Sequence, residues 1–136
     1  MTEIVIQLPG TPQGKGRPRF VRATGHAFTP SRTRSYESLL QGAAIEVMRG
    51  RQMIDGEVAV SVEAYFPIPA SWPKSKRTLA TMGRVRPAKK PDADNLLKIL
   101  DSLNAVVFRD DAQIVDASVA KHYSEQPRLV VKVRAA

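Results

Sequence analysis

From Lys89 to Asp116 the chain reads KKPDADNLLKILDSLNAVVFRDDAQIVD. Asp92, Asp94, Asp101, Asp110, Asp111 and Asp116 all fall there, out of thirteen acidic residues in the chain, and the formal net charge is +8. Carboxylates gathered inside a basic protein need a counter-ion. Carboxylate oxygens are hard ligands, so a divalent cation such as Mg²⁺ is the natural one. The stretch reads as a Mg²⁺ site to which the rest of the chain delivers nucleic-acid phosphates.

The spacing dictates how these residues must be positioned. Pro91 disfavours helix at Lys90, and Asp92 or Asp94 suits an N-cap. A helix then runs from about Asn95 to Asn104. Leu96, Leu97, Ile99, Leu100 and Leu103 fall on one arc of it, and Asp94, Lys98, Asp101 and Ser102 on the other. Asp92 and Asp94, two apart, splay on a helix and converge only in extended chain leading into it. Asp110 and Asp111 follow the apolar run Ala105 to Phe108 and precede a strand beginning near Gln113, so they can fold back beside Asp92 and Asp94. Carboxylates from two places, with Lys98 one turn into the helix, suit one or two Mg²⁺ ions and a phosphate. Taken singly, an aspartate at a helix start is ordinarily a cap and Asp-Asp ordinarily a turn. Their combination, with Lys98 on the face of Asp94, favours the site. An EF-hand loop would need Gly and Glu where Leu97 and Leu103 stand. A phosphatase-type Asp-x-Asp would follow a buried apolar strand, whereas Ala88-Lys89-Lys90-Pro91 comes before this one.

Pro91-Asp92-Ala93-Asp94-Asn95-Leu96-Leu97-Lys98, then Asp101-Ser102-Leu103-Asn104, then Phe108-Arg109-Asp110-Asp111-Ala112-Gln113-Ile114-Val115, resembles the RusA family of Holliday junction resolvases. The ordered set D-x-D-N-x-x-K followed by D-D-x-Q-[IV]-V is far more specific than a lone D-x-D. The likeness extends to Gly14-Lys15-Gly16-Arg17-Pro18-Arg19-Phe20 and to the final strands, so it covers most of the chain. The resemblance implies a homodimeric, Mg²⁺-dependent, structure-selective DNA endonuclease. It places Asp92, Asp94 and Asp111 at the metal and Lys98 in catalysis, with Asp110 in a less defined role. The segment from Ala70 to Lys90 is longer than in the shortest family members.

At 136 residues the chain reads as one domain. It has no cysteine, which excludes disulfides and Cys-ligated zinc and makes a reducing cytoplasm the expected location. The N-terminus carries no signal-peptide pattern, and no apolar run approaches membrane-spanning length. A pI near 10.2 points to a polyanionic partner. Ile4, Ile6 and Leu8 alternate as a first strand. Gly14 to Arg34 holds Lys15, Arg17, Arg19, Arg22, Arg32 and Arg34 without an acid, in a loop with a short hairpin from Phe20 to Phe28. Such a segment is a solvated loop or a phosphate contact, and six uncompensated cations favour the phosphate. A helix from about Thr33 to Met48 shows an apolar stripe of Tyr36, Leu39, Leu40, Ala43 and Val47. Val58 to Phe66 alternate as a strand. Trp72 to Lys90 is a second acid-free segment, with Lys74, Lys76, Arg77, Arg84, Arg86, Lys89 and Lys90. It lacks apolar periodicity and reads as a mobile loop, at most one helical turn at Leu79 to Met82. Trp72 is a packing residue or a base-stacking one, packing being the commoner role. Val115 to Tyr123 and Leu129 to Val133 read as a terminal hairpin turning at Ser124-Glu125-Gln126-Pro127. Lys121 shares the face of Val119 and Tyr123, at the sheet's end or close to the acidic site. His122 reads as a surface residue.

The element order predicts an α+β domain, a mixed four-stranded sheet packed by two helices. Asp92, Asp94, Asp111 and Lys98 are the expected catalytic set, with Asp110, Asp101 and Lys121 as additional candidates. Lys15, Arg17, Arg19, Lys74, Lys76, Arg77, Lys89 and Lys90 are the expected DNA contacts. The expected partners are four-way DNA and a second copy of the chain, with no membrane. A nucleic-acid-binding module without chemistry would explain the charge but not six gathered acids. Another metal-dependent phosphotransferase would explain the acids but not two basic segments.

Overall fold

The computed structural model describes residues 3–16, 19–21, 26–28 and 31–136, the two short segments as backbone. Strand β1 (Ile4–Pro9) buries Ile4, Ile6 and Leu8 on one face, as strict alternation requires. β2 (Arg19–Val21) and β3 (His26–Phe28) form the expected small hairpin, apart from the main sheet. Helix α1 (Ser31–Val47) lies on β1 and buries Thr33, Tyr36, Leu40 and Ala44. The apolar stripe is therefore rotated from the expected one: Leu39 is 61% exposed, and Ala44 and Met48 take the inner positions.

β4 (Val58–Pro67) crosses the middle of the molecule with Val58, Val60, Val62, Ala64 and Phe66 all buried. β5 (Ile114–Ser124) pairs with it in parallel, and β6 (Arg128–Ala135) pairs antiparallel with both β4 and β1. The sheet order is β1-β6-β4-β5, a mixed four-stranded sheet of an α+β fold. In one row across it, Val62 meets Val131 on one side and Val119 on the other, and Val131 meets Ile6. The helical elements and Phe108 pack on the face these residues share.

Two expectations fail here. β5 and β6 are not a hairpin, because β4 lies between them. The link Glu125 to Pro127 passes the end of β4, where Tyr65 pairs with His122 on one side and Arg128 on the other. Arg128 stacks its guanidinium 3.9 Å over the Tyr65 ring and donates to Ser124 Oγ and the Gln126 carbonyl. Turn residues report that the chain reverses. They carry no information on how many strands separate its two arms.

The segment after Trp72 is also more ordered than expected. Helix α2 (Lys74–Thr81) begins after Pro73 and ends at Gly83, whose φ of +79° suits glycine. It buries only Ala80, so no apolar period shows in its sequence. Trp72 is the anchor, edge-on to Tyr123 at 5.1 Å with the Lys76 ammonium 4.0 Å from its ring centroid. It is a packing residue. Helix α3 (Ala93–Lys98) then continues into a 3-10 segment, Ile99–Leu103, and both pack on neighbouring elements through Leu96, Ile99, Leu100 and Leu103.

Phe108 is fully buried and closes the return from this segment to β5. Phe108→Ala is expected to destabilise the fold by about 3–5 kcal/mol, read from urea unfolding with an unchanged m-value.

Candidate active site

The start of α3 places the first two carboxylates. Asp92 is the N-cap, with extended φ of −67° and ψ of 153°, and its carbonyl accepts from the Asn95 and Leu96 amides. Its side chain makes no capping hydrogen bond. An aspartate in a cap position with its carboxylate uncommitted is available to a ligand. Asp94 lies in the first turn and is exposed, paired with Lys98 at 3.6 Å. This confirms the expected i, i+4 neighbours, but the stripe does not continue. Beyond Lys98 the chain tightens to 3-10 geometry, and Asp101 turns away to Lys15.

Asp110 behaves as the ordinary alternative would have it. It caps a short 3-10 turn, Asp111–Gln113, by accepting from the Ala112 amide at 3.1 Å. That amide hydrogen bond holds its carboxyl below the usual carboxylate range. Gln113 completes the box. Its Oε1 accepts from the Arg109 and Asp110 amides, and its Nε2 donates to the Ile54 and Gly56 carbonyls at 3.0 and 2.9 Å. Gln113 was not among the expected site residues, although its place in D-D-x-Q marked it. Its task is to bolt the acidic turn to the Ile54–Gly56 loop.

Asp111 is left exposed beside Asn104, whose Nδ2 donates to it at 3.4 Å. The expectation that Asp110 and Asp111 fold back beside Asp92 and Asp94 is thus not met within one chain. Asp92 stands at the start of α3, whereas Asp111 meets Asn104 just past the far end of the 3-10 segment. At about 1.5 and 2.0 Å per residue the two helical stretches together are roughly 19 Å long. The reason is the anchoring: Gln113 and Phe108 fix the turn to the start of β5. Among the described residues no three His, Cys, Asp or Glu side chains stand close enough to hold a metal ion. The donors do fit Mg²⁺ in kind. It takes one or two carboxylates and fills its shell with water and substrate phosphate, and Asp92, Asp94 and Asp111 are exposed carboxylates that no cap consumes.

A groove of about 770 Å³ opens beside Asp92, lined by Pro12, Gly14, Lys15, Arg32, Lys90 and Asp92 among others. Its wall depends on Gly14, where a Cβ would come 2.8 Å from the Pro91 Cβ and 3.0 Å from that of Asn95. The loop is further tied by Lys15 N–H to the Asn95 carbonyl and Gly16 N–H to Thr33 Oγ1. The Lys15 ammonium turns inward, donating to Asp101 and lying 3.5 Å from Glu37. That hydrogen bond raises the Lys15 pKa. Burial pushes the Glu37 carboxyl up to about 7, and its hydrogen bond with Asp101 adds to this. Burial also pushes Asp101 up, but hydrogen bonds from Glu37 and Lys15 outweigh it and hold that carboxyl low. The three groups form one cluster of ion pairs and hydrogen bonds, and Glu37 has no sequence signal that could have singled it out.

Of the other expected contacts, Lys74, Lys76 and Arg77 are exposed on α2, and Lys89 and Lys90 are exposed just before Asp92. Arg17 and the Arg19 side chain lie outside the described residues. Lys121 stands close to the acidic stretch, donating to the carbonyls of Lys89 and Pro91. His122 is half-buried and stacked on Tyr65 at 5.1 Å. Burial, with Arg86 nearby, lowers its pKa.

A mixed sheet whose long β4–β5 connection carries exposed carboxylates beside a basic groove suits an enzyme that acts on nucleic acid. Comparison with known proteins agrees. The family described as endodeoxyribonuclease RusA matches residues 9–134. The chain is also 37% identical over 136 residues to a protein of Bacillus subtilis (strain 168) named "Uncharacterized protein YqaN", covering 96% of this chain and 95% of that one. The chain belongs to the RusA family of endodeoxyribonucleases, Holliday junction resolvases. Among the described residues no helix is long and apolar enough to cross a membrane.

The Lys15–Asp101–Glu37 unit has a signed pH dependence. A carboxyl raised in the folded state, as Glu37 is, stabilises least above its folded pKa. Its contribution is lost as pH rises from about 4.5 to about 7. Glu37→Gln should therefore gain melting temperature relative to wild type between pH 5 and pH 8, on the order of 3 °C, measured by calorimetry at both pH values.

Proposed function

We propose that this chain is a Mg²⁺-dependent, structure-selective nuclease that works as a homodimer and resolves four-way DNA junctions by paired incisions. The observation that carries the reading is the uncapped carboxylate of Asp92, beside exposed Asp94, at the mouth of a groove with cations on its walls. Asp92, Asp94 and Asp111 would hold the ion, which when bound polarises the scissile phosphate and activates a water.

The chain's own residues do the rest. Lys98 is 60% exposed and holds only Asp94, 68% exposed, at 3.6 Å. An exposed pair of this kind is worth about 0.3–0.5 kcal/mol. The ammonium can therefore swing onto a phosphate oxygen and offset the charge that develops there. Arg32 and Lys90 face the groove and guide the strand toward Asp92, with Lys89 next to them. Lys74 and Arg77 on α2 offer a second set of phosphate contacts, while Lys76 spends part of its charge on Trp72. Arg17 and Arg19 follow the groove-wall residues Gly14 to Gly16 closely in the sequence. Lys15 supports that wall through Asp101 and contributes less to phosphate than its charge implies.

The separation of Asp111 from Asp92 favours a dimer in which each site is shared. A two-fold dimer can place the second chain's Asp111 against the first chain's Asp92 and Asp94, twice. A junction with approximate two-fold symmetry then meets two equivalent sites. Asp92→Asn, Asp94→Asn and Asp111→Asn should each end cleavage while junction binding survives. A mixed dimer of Asp92→Asn with Asp111→Asn should recover one intact site and nick a cruciform plasmid without linearising it. A verified mixed dimer with no nicking activity would show that each chain supplies its own ligands.

The phosphate contacts are read from salt dependence. Each phosphate neutralised contributes about 0.9 to the slope of log K against log salt. Arg32→Ala with Lys90→Ala should flatten the slope for junction binding by about 2, and Lys15→Ala should flatten it by clearly less than one contact's worth.

A further inference from the structure

We propose that Lys121 is a positioning residue that fixes the backbone of Asp92. It sits in β5 opposite Ala64 of β4, on the face of Val119 and Tyr123 against which the helices pack. A half-buried ammonium must have acceptors. Lys121 finds them in two backbone carbonyls, Lys89 at 2.6 Å and Pro91 at 3.0 Å. Charge-assisted hydrogen bonds are about twice as strong as neutral ones.

The Pro91 carbonyl belongs to the peptide plane that ends at the Asp92 Cα. Holding that oxygen fixes the plane from which the Asp92 side chain departs. The other side of Asp92 is held by its own carbonyl, which accepts from the Asn95 and Leu96 amides at 3.1 and 3.2 Å. Gly14 presses on Pro91 from the groove wall, with no room for a Cβ. Arg86 Nε donates to the Lys121 carbonyl at 2.8 Å, so residue 121 grips the incoming loop by side chain and main chain together. The side chain of Asp92 is then the part left free to turn toward a ligand. Ligand precision depends on such supporting bonds, whose loss typically costs about 10–100-fold in metal affinity or activity.

The geometry of the clasp is independent of the Mg²⁺ reading, and only its catalytic consequence rests on that reading. The experiment separates them with Lys121→Met, which keeps the stem and removes the donors, and Lys121→Arg, whose fork can reach both carbonyls. In the metal-free protein, hydrogen exchange at the Asn95 and Leu96 amides should quicken about tenfold in Lys121→Met and recover in Lys121→Arg. The amides of Val62 and Val131 should not change. Mn²⁺ binding followed by electron paramagnetic resonance, without DNA, should weaken about tenfold. The Mg²⁺ needed for half-maximal junction cleavage should rise in parallel, with the rate at saturating Mg²⁺ within about threefold of wild type. If Lys121→Met fails to fold, Lys121→Gln is read by the same measures. Wild-type exchange at Asn95 and Leu96 would overturn the clasp. Faster exchange with unchanged Mn²⁺ affinity and Mg²⁺ requirement would reduce Lys121 to a stabilising residue and overturn its positioning role. Wild-type protein that binds no Mn²⁺, with the exchange effect intact, would sink the Mg²⁺ reading and leave the backbone clasp standing.

Discussion

Everything that could do chemistry in this chain hangs on the parallel pairing of β5 with β4. Parallel neighbours cannot be joined by a tight turn, because the chain must travel back along the whole sheet before the second strand starts. That return trip, Ile68 to Gln113, holds α2, α3, the 3-10 turns and five of the candidate acids. It enters past the far end of β5, near Lys121, and leaves at the near end, at Ile114. The length of β5 is therefore written into the distance between Asp92 and Asp111. A fold with an antiparallel β5 would need no such crossover and would have nowhere to put the site.

The two acidic pairs look alike in sequence and are held by opposite logic. Asp110 gives its carboxylate to the backbone, and Gln113 closes the turn with two hydrogen bonds and locks it to a neighbouring loop with two more. The turn is rigid so that Asp111, one residue on, can be presented free. Asp92 gives only its carbonyl to the helix and keeps its carboxylate. Its backbone must then be held by something else, and Lys121 and Gly14 converge on the peptide before it. In each pair one group is spent on fixing geometry so that another can remain unspent.

Local signals in the sequence carried far. Alternation placed β1, β4, β5 and β6, and the helical period placed α1 and the apolar face after Asp94. What failed was information that a local pattern does not contain. Ser124 to Pro127 announced a reversal but could not say that β4 would lie between its arms. The α2 segment buries one alanine, so a helix held mainly by Trp72 and its own backbone left no period to detect. At the candidate site, the local arrangement of Asp92, Asp94 and Lys98 was legible because they are near neighbours. The placement of Asp111 was not, since it depends on Gln113 reaching Ile54 and Gly56 across more than fifty residues. Glu37 was invisible for the same reason, its partners Lys15 and Asp101 being distant on either side.

Charge shows most clearly why composition overstates function. A net +8 points to a polyanion as partner, yet several cations are already employed inside the protein. Lys15 holds Asp101, Lys121 holds two carbonyls, Arg128 pins the β5–β6 link over Tyr65, and Lys76 covers Trp72. Lys15, Lys121 and Arg128 sit where the chain must cross or clasp another segment, and a long flexible cation can bridge such gaps while keeping its stem against apolar surface. Among the described residues, those exposed near Asp92 are a smaller set, Arg32, Lys89, Lys90 and Lys98. Under the proposed function this set would draw phosphate to one place, whereas an even distribution of all the cations would draw it everywhere. On that reading, selectivity for a strand that reaches the acids would depend as much on the cations withdrawn into structure as on those left outside.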